Sequence, residues 1–430
     1  MLRALFCLSL VAAALCALAG CVQATVAWTD MEPNGDEARP ALLAGFEGEP
    51  PVASVEAWNE TRAPALREAL QREVYGYLPE ASSTRVLERK VVNAQAFGGR
   101  AVLEEYTLAV TAAFGGVTVE SAGADEETGF VMDVAYPANA EGPAPVILME
   151  TFCPRWDTLP DAGVAGFPEK PEKPPGLVTY MFGRYICTPP VDAILDAGYA
   201  IATIYPGELV PDDKAEGPPQ LLRLSEGHAD DDTRWGAVAA WGWAFSRMVD
   251  VLQDDPRVDA DALVTWGHSR YGKSALVAAA VDPRIAGVIA HQSGTGGASL
   301  NRNKRGESVK AITKSYPHWF SETYADYAGR EEDMDIDQHA LLALIAPRPV
   351  LLGNARRDVW SDPNGAFRAA MGADPVYELL GSEGLRQERL DDWRPEADIA
   401  FWVRPGTHGV VEEDWPAFLE FLKAHFPPGG

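Results

Sequence analysis

The chain has 430 residues, of which 47% are apolar, and it carries a formal charge of −27. That much apolar material can fill a large core, and the length fits one large α/β domain as well as two smaller ones. The acidic balance argues against nucleic acid and other polyanionic partners, whose sites need clustered Lys and Arg, and fits a solvated acidic surface.

The first elements lie outside any globular fold. Met1-Leu-Arg is a short basic start, and Ala4 to Leu18 is apolar but short for a membrane span. It runs into Leu18-Ala-Gly-Cys21, which resembles the lipobox of bacterial lipoproteins, where cleavage precedes a cysteine that then receives lipid. The sequence thus predicts a signal peptide over 1–20, lipidation at Cys21 and a tether over 21–52, with a catalytic domain over 53–430. An ordinary secretory peptide cut nearby is the alternative. Val22 is not the Asp that retains lipoproteins at the inner membrane. The expected address is therefore that of an exported lipoprotein, at the outer membrane if the host is Gram-negative, periplasm-facing or at the cell surface.

From Trp58 to Tyr77 the amphipathic run Ala65-Leu-Arg-Glu-Ala-Leu-Gln-Arg-Glu-Val reads as a helix. Ala101 to Val110 and Phe130 to Tyr136 alternate as antiparallel strands do. Strand–helix–strand patterning then begins, with strands at Pro145 to Glu150, Tyr199 to Tyr205, Ala262 to Trp266 and Ile285 to His291. The helix Trp235 to Leu252 carries Ala, Trp, Phe and Met at helical spacing, a core stripe.

The most informative stretch is Val264-Thr-Trp-Gly-His-Ser-Arg-Tyr-Gly-Lys273. It reads as a strand, a sharp turn presenting Ser269, and a helix whose first N–H groups face any developing oxyanion. The second glycine lies three residues after the serine, a departure from G-x-S-x-G. Pro349 to Gly353 is a buried strand followed by a loop with Asp358 and Asp362, and Ile399 to Val403 is a last strand followed by His408 on a Gly/Pro loop. A helix from about Trp415 to His425 ends the pattern. Serine, acid and histidine thus come in α/β-hydrolase order, each just past a strand. Asp358 is the favoured acid, because Asp362 precedes Pro363 and suits a helix N-cap. His228, His291, His318, His339 and His425 lack the late post-strand placement and read as structural or supporting. The expected fold is α/β: an α/β-hydrolase three-layer sandwich with a mostly parallel central sheet.

Several of these stretches carry a family resemblance. Gly267-His-Ser-Arg-Tyr-Gly-Lys273, Ser293-Gly-Thr-Gly-Gly-Ala298, Gly306-Glu-Ser-Val309 and Pro317-His-Trp-Phe320 resemble the glucuronoyl esterases, the bacterial branch especially. So do Asp337-Gln-His339, Leu344-Ile-Ala-Pro-Arg-Pro349, Asp358-Val-Trp-Ser-Asp-Pro363, and His408 ahead of Asp414-Trp415. The resemblance runs from about Trp58 to the C-terminus and implies cleavage of the ester between 4-O-methyl-glucuronic acid of xylan and a lignin alcohol. It implies Ser269 as nucleophile, His408 as general base and Arg270 as oxyanion support. It implies Lys273 and Glu307 as ligands of sugar hydroxyls and Trp360 as the aromatic bordering the sugar. No metal or organic cofactor enters that chemistry. Many family members place the triad acid where this chain has Gln292, and an amide cannot balance an imidazolium, which again directs the role to Asp358. The segment Thr151-Phe-Cys-Pro-Arg155 also departs from the family's usual version.

With the signal removed and Cys21 lipidated, Cys153 and Cys187 remain, either as a disulfide or as two buried thiols. Asp230-Asp-Asp232 and Glu331 to Asp337 lack the Gly and terminal Glu of a calcium loop, so no metal is expected there. The expected partners are a glucuronoxylan or lignin–carbohydrate ester and a membrane reached through the lipid, with the protein monomeric. The same scaffold also suits another carbohydrate esterase, such as an acetylxylan esterase. A non-catalytic glycan-binding lipoprotein is the third reading, disfavoured because binding alone has no use for a nucleophile.

Overall fold

A computed structural model describes residues 40–44, 51–121, 130–161, 163–164 and 181–429. The signal segment, Cys21 and most of the tether lie outside the described residues. Among the described residues, one ten-stranded sheet runs through the molecule in the order β1-β2-β4-β6-β5-β7-β8-β9-β10, with β3 paired to β2. The antiparallel part comprises β1 (Ala81–Gln95), β2 (Ala101–Phe114), β3 (Val117–Glu120) and β4 (Phe130–Pro137). β4 meets β6 (Ala200–Ile204) antiparallel. From β6 onward, β5 (Ala144–Glu150), β7 (Val258–His268), β8 (Gly287–His291), β9 (Val350–Ala355) and β10 (Ile399–Arg404) all run parallel.

The parallel strands are buried on both faces, and successive side chains feed two different cores. Val146 and Leu148 of β5 join one cluster, with Trp241, Phe245 and Leu276 from the helices Ala237–Leu252 and Arg270–Val281. Ile147 and Met149 join the other, with Ile194 and with Phe418 and Phe421 of the helix Asp414–His425. Helices therefore cover both faces of the sheet, giving the three-layer α/β-hydrolase sandwich.

The predicted N-terminal helix forms over Val55 to Tyr75 as α-helical turns interleaved with wider π turns, and Leu66, Ala69, Leu70 and Val74 make its buried face. The expected strand at Ala101 to Val110 extends to Phe114 and folds back through β3. The long edge strand β1 is an addition to the expected elements. Its residues are mostly exposed, and Arg85, Glu88, Arg89 and Lys90 break the apolar alternation that marks a half-buried strand. Cys153 and Cys187, with Cα atoms 5.3 Å apart, form a disulfide. It ties the segment after β5 to the one that reaches the rim of the site described next.

Candidate active site

The elbow is built as its sequence requires. β7 ends at His268, and Ser269 takes φ 56° and ψ −121°, a left-handed conformation that is costly for a residue with a Cβ. The Ser269 N–H donates to the His291 carbonyl at 2.8 Å, which helps hold that conformation. Gly267 leaves the space: a Cβ there would lie 1.9 Å from the Tyr271 carbonyl oxygen. The helix begins at Arg270, so the Arg270 N–H belongs to the first turn, whose donors have no partner within the helix.

Two loops reach the serine from neighbouring strands. The loop after β9 carries Asp358, which is buried, and the loop after β10 carries His408. His408 Nδ1 donates to Asp358 Oδ2 at 2.7 Å, which leaves Nε2 as the free acceptor. Burial pushes the Asp358 carboxyl upward, but the hydrogen bond and charge of His408 and the bonds from Ser361 outweigh it, so its pKa lies below the ordinary value. Asp358 therefore stays ionised at neutral pH. Asp362 caps the helix Pro363–Leu379 instead, accepting from the Gly365 N–H at 3.0 Å.

Gln292 does structural work on the histidine loop. Its Oε1 accepts from the Gly409 N–H at 2.8 Å, and its Nε2 donates to the Thr407 carbonyl at 3.3 Å. Arg404 holds the same loop, donating to the Gly409 carbonyl at 2.7 Å and to Asp414 Oδ1 at 2.8 Å.

Ser269, Arg270, Lys273, Glu307, Trp360 and His408 line one cavity of about 340 Å³. Lys273 is buried, and its Nζ donates to the carbonyls of Ser293 and Thr295. Burial lowers its pKa, with the charge of Glu307 opposing the shift. Burial raises the Glu307 carboxyl, opposed by Lys273 and Lys304. Glu307 Oε1 is buried and has no hydrogen-bond partner among the described residues, an unsatisfied acceptor beside the cavity. Trp360 is 58% exposed. Its backbone carbonyl accepts from the Glu307 N–H at 3.1 Å, which joins the two loops that carry these side chains.

Arg270 is more constrained than the sequence suggested. Its guanidinium pairs with Asp212 and lies against the rings of Phe152 and Trp319, 5.1 and 5.3 Å from their centroids. Asp212 also accepts from Trp319 Nε1 at 2.7 Å and contacts His318 Nε2 at 3.0 Å. The sequence alone assigns no role at the site to Asp212, Trp319 or Ser361. Ser361 donates to the Gln292 carbonyl at 3.1 Å and sits 3.3 Å from His408 Nδ1. No motif spacing marks Asp212, whereas Trp319 and Ser361 each lie within a stretch that carries the resemblance, which implies no role for either.

A serine held on an elbow, beside a histidine bonded to a buried carboxylate, within a three-layer sandwich, defines a serine ester hydrolase of the α/β-hydrolase class. Comparison with known proteins narrows the class. The family model described as glucuronyl esterase, fungi, matches residues 229–381. A carbohydrate esterase, MZ0003, from an unknown prokaryotic organism is 31% identical over 395 residues, covering 88% of this chain and 87% of that protein. The chain belongs to the glucuronoyl esterase family. The 4-O-methyl-glucuronoyl methylesterase of Schizophyllum commune matches over a shorter stretch, 35% identical across 34% of this chain and 39% of its own length. Among solved structures, a glucuronoyl esterase from Solibacter usitatus is 32% identical, with a TM-score of 0.74, over 91% of this chain and 98% of its own. A promiscuous family 15 carbohydrate esterase from a marine bacterial metagenome gives a TM-score of 0.78 at 29% identity, over 92% and 99%.

Proposed function

We propose that this protein is a glucuronoyl esterase that hydrolyses the ester between 4-O-methyl-glucuronic acid of xylan and an alcohol of lignin. The observation that carries the reading is the single cavity shared by Ser269, His408 and Arg270 with Lys273, Glu307 and Trp360. The first group suits acyl transfer and the second suits a uronic acid ring.

In this reading His408 Nε2 takes the Ser269 proton as Oγ attacks the uronoyl carbonyl, forming the Oγ–C bond and a tetrahedral oxyanion. The Arg270 N–H and guanidinium stabilise that oxyanion, an effect worth roughly 3–4 kcal/mol per donor. Asp358 fixes the imidazole tautomer and balances the imidazolium. Protonated His408 passes its proton to the departing alcohol oxygen as the C–O bond breaks. Water, deprotonated by His408, then releases the uronic acid and restores Ser269. Lys273 and Glu307 hold ring hydroxyls through charge-assisted hydrogen bonds, and the Trp360 indole borders the ring.

The sugar assignment has a direct test. Lys273→Gln is expected to lower kcat/KM for benzyl glucuronate about tenfold or more, since a lost charge-assisted bond costs about 1.5–3 kcal/mol, and Trp360→Ala by about two- to tenfold, the scale of a lost ring contact of ~0.5–1.5 kcal/mol. An aryl acetate, which has no uronate ring, should lose far less. Equal losses on both esters would overturn the assignment. The Lys273 pKa is lowered, so its ammonium form prevails below that value and is lost as the pH rises through it. KM for the uronate ester should therefore climb on the alkaline side. The Lys273→Gln variant should not show that climb.

Leu18-Ala-Gly-Cys21 supports export as a lipid-anchored lipoprotein, and Val22 supports delivery to the outer membrane of a Gram-negative host. Radiolabelled palmitate should enter the full chain and be absent from Cys21→Ser; equal labelling would rule out Cys21 as the acceptor.

A further inference from the structure

Beneath His408 lies a second, fully buried histidine chain that the hydrolytic steps leave unused. The His268 ring lies 4.6 Å from the His408 ring, centroid to centroid, at an interplanar angle of 43°. His268 Nδ1 is 3.1 Å from His291 Nδ1, and His291 Nε2 is 3.4 Å from Asp414 Oδ1. All three residues are buried. His291 Nε2 forms no hydrogen bond among the described residues but lies within ion-pair range of Asp414 Oδ1, and since a carboxylate only accepts, the proton belongs on that nitrogen. That leaves His291 Nδ1 bare, to accept from the Nδ1–H of His268.

The same Asp414 oxygen accepts from Arg404 Nε at 2.8 Å. Arg404 in turn donates to the carbonyls on either side of His408, Thr407 at 3.2 Å and Gly409 at 2.7 Å. One carboxylate thus faces His291, which bonds the ring under the His408 imidazole, and anchors the arginine that holds the backbone carrying His408. A buried imidazole is costly unless partnered, and an aliphatic side chain would fill the space without that cost. What the imidazole adds over such a side chain is a ring of fixed plane.

We propose that His268 is a positioning residue for ester hydrolysis: its ring is the floor on which the His408 imidazole is held, and His291 and Asp414 fix the plane of that floor. This rests on the reading of His408 as the general base. The groups facing His268 are His408, His291 and Arg404, with the edge of Phe152 at 5.8 Å. Burial and the charges of the first three push its pKa well below the ordinary imidazole value, so the floor stays neutral when His408 takes its proton.

The test compares His268→Leu, which keeps volume but removes the ring, with His268→Phe, which keeps a ring. On benzyl glucuronate the leucine variant should lose about 30- to 100-fold in kcat with KM within about twofold, the scale of a misplaced catalytic group. The phenylalanine variant keeps a ring against His408 but loses the Nδ1 bond that fixes its plane, so it should lose less than the leucine variant, about five- to tenfold in kcat. In a His408→Ala background, His268→Leu should cost nothing further, since the group it positions is gone. Should the leucine variant fail to fold, His268→Ala replaces it with the same expectation. A kcat within about threefold of the parent for the ringless variant, equal losses for leucine and phenylalanine, or a further loss in the His408→Ala background would each overturn the proposal. If His408→Ala alone retains parental kcat, it is the assignment of the base that fails, and with it the premise for a floor.

Discussion

Ser269→Ala is expected to reduce kcat on a glucuronate ester by about 10⁶-fold while leaving the fold intact. The size follows from the division of labour in the site. His408 has a proton to take only if an Oγ–H lies before it, and Arg270 has an oxyanion to stabilise only if a nucleophile has attacked. Removing the oxygen therefore removes the work of all of them at once, which makes such losses strongly non-additive. The alanine costs little structurally, because the strain at φ 56° belongs to the backbone and is borne by the packing around Gly267 and by the hydrogen bond to the His291 carbonyl. The unfolding midpoint should accordingly stay close to that of the parent. A variant that unfolds readily would show that the hydroxyl has a structural role in the elbow.

Asp358→Asn should cost about 10⁴-fold in kcat with KM little changed. The amide keeps the shape of the side chain but supplies no charge to balance the imidazolium, and through its NH₂ it favours the imidazole tautomer with the proton on Nε2, the nitrogen that must face Ser269 bare. Gln292 offers no substitute, since both ends of its amide are committed to the backbone at Thr407 and Gly409. Steady-state kinetics on benzyl glucuronate, with Asp362→Asn as the comparison, checks this. Asp362 caps a helix by accepting from the Gly365 N–H, a role the Asn amide oxygen keeps, so that variant should retain most of its stability and leave the chemistry largely intact. Comparable losses of kcat for the two variants would contradict the assignment of the acid.

The parts of the fold legible in the sequence are those set by local periodicity. Pro145 to Glu150 reads as a buried parallel strand because it is apolar on both faces, and β5 occupies Ala144–Glu150. The edge strand Ala81–Gln95 escapes that reading for the opposite reason: it pairs on one side with β2 and keeps most of its side chains in solvent, so nothing in its sequence alternates. Within the site, Ser269, Asp358 and His408 are legible because each follows a strand end, and strand ends of a parallel sheet converge on one edge. Asp212 reaches Arg270, and Asp414 reaches His291, only through the fold, and no spacing rule connects them. The pairing of Cys153 with Cys187 stayed open in the sequence for the same reason, since it depends on a Cα separation that only the folded chain sets.

The measurement that tests the central claim most directly is hydrolysis of benzyl glucuronate and of acetylated xylan, side by side, by the protein lacking residues 1–20, with Ser269→Ala as the control. The expected result is release of benzyl alcohol from the uronate ester, little acetate from the xylan, and neither product from the variant. Acetate release without uronate cleavage would keep the fold and the serine chemistry but contradict the glucuronoyl specificity, and uronate cleavage that persists in Ser269→Ala would contradict the mechanism itself.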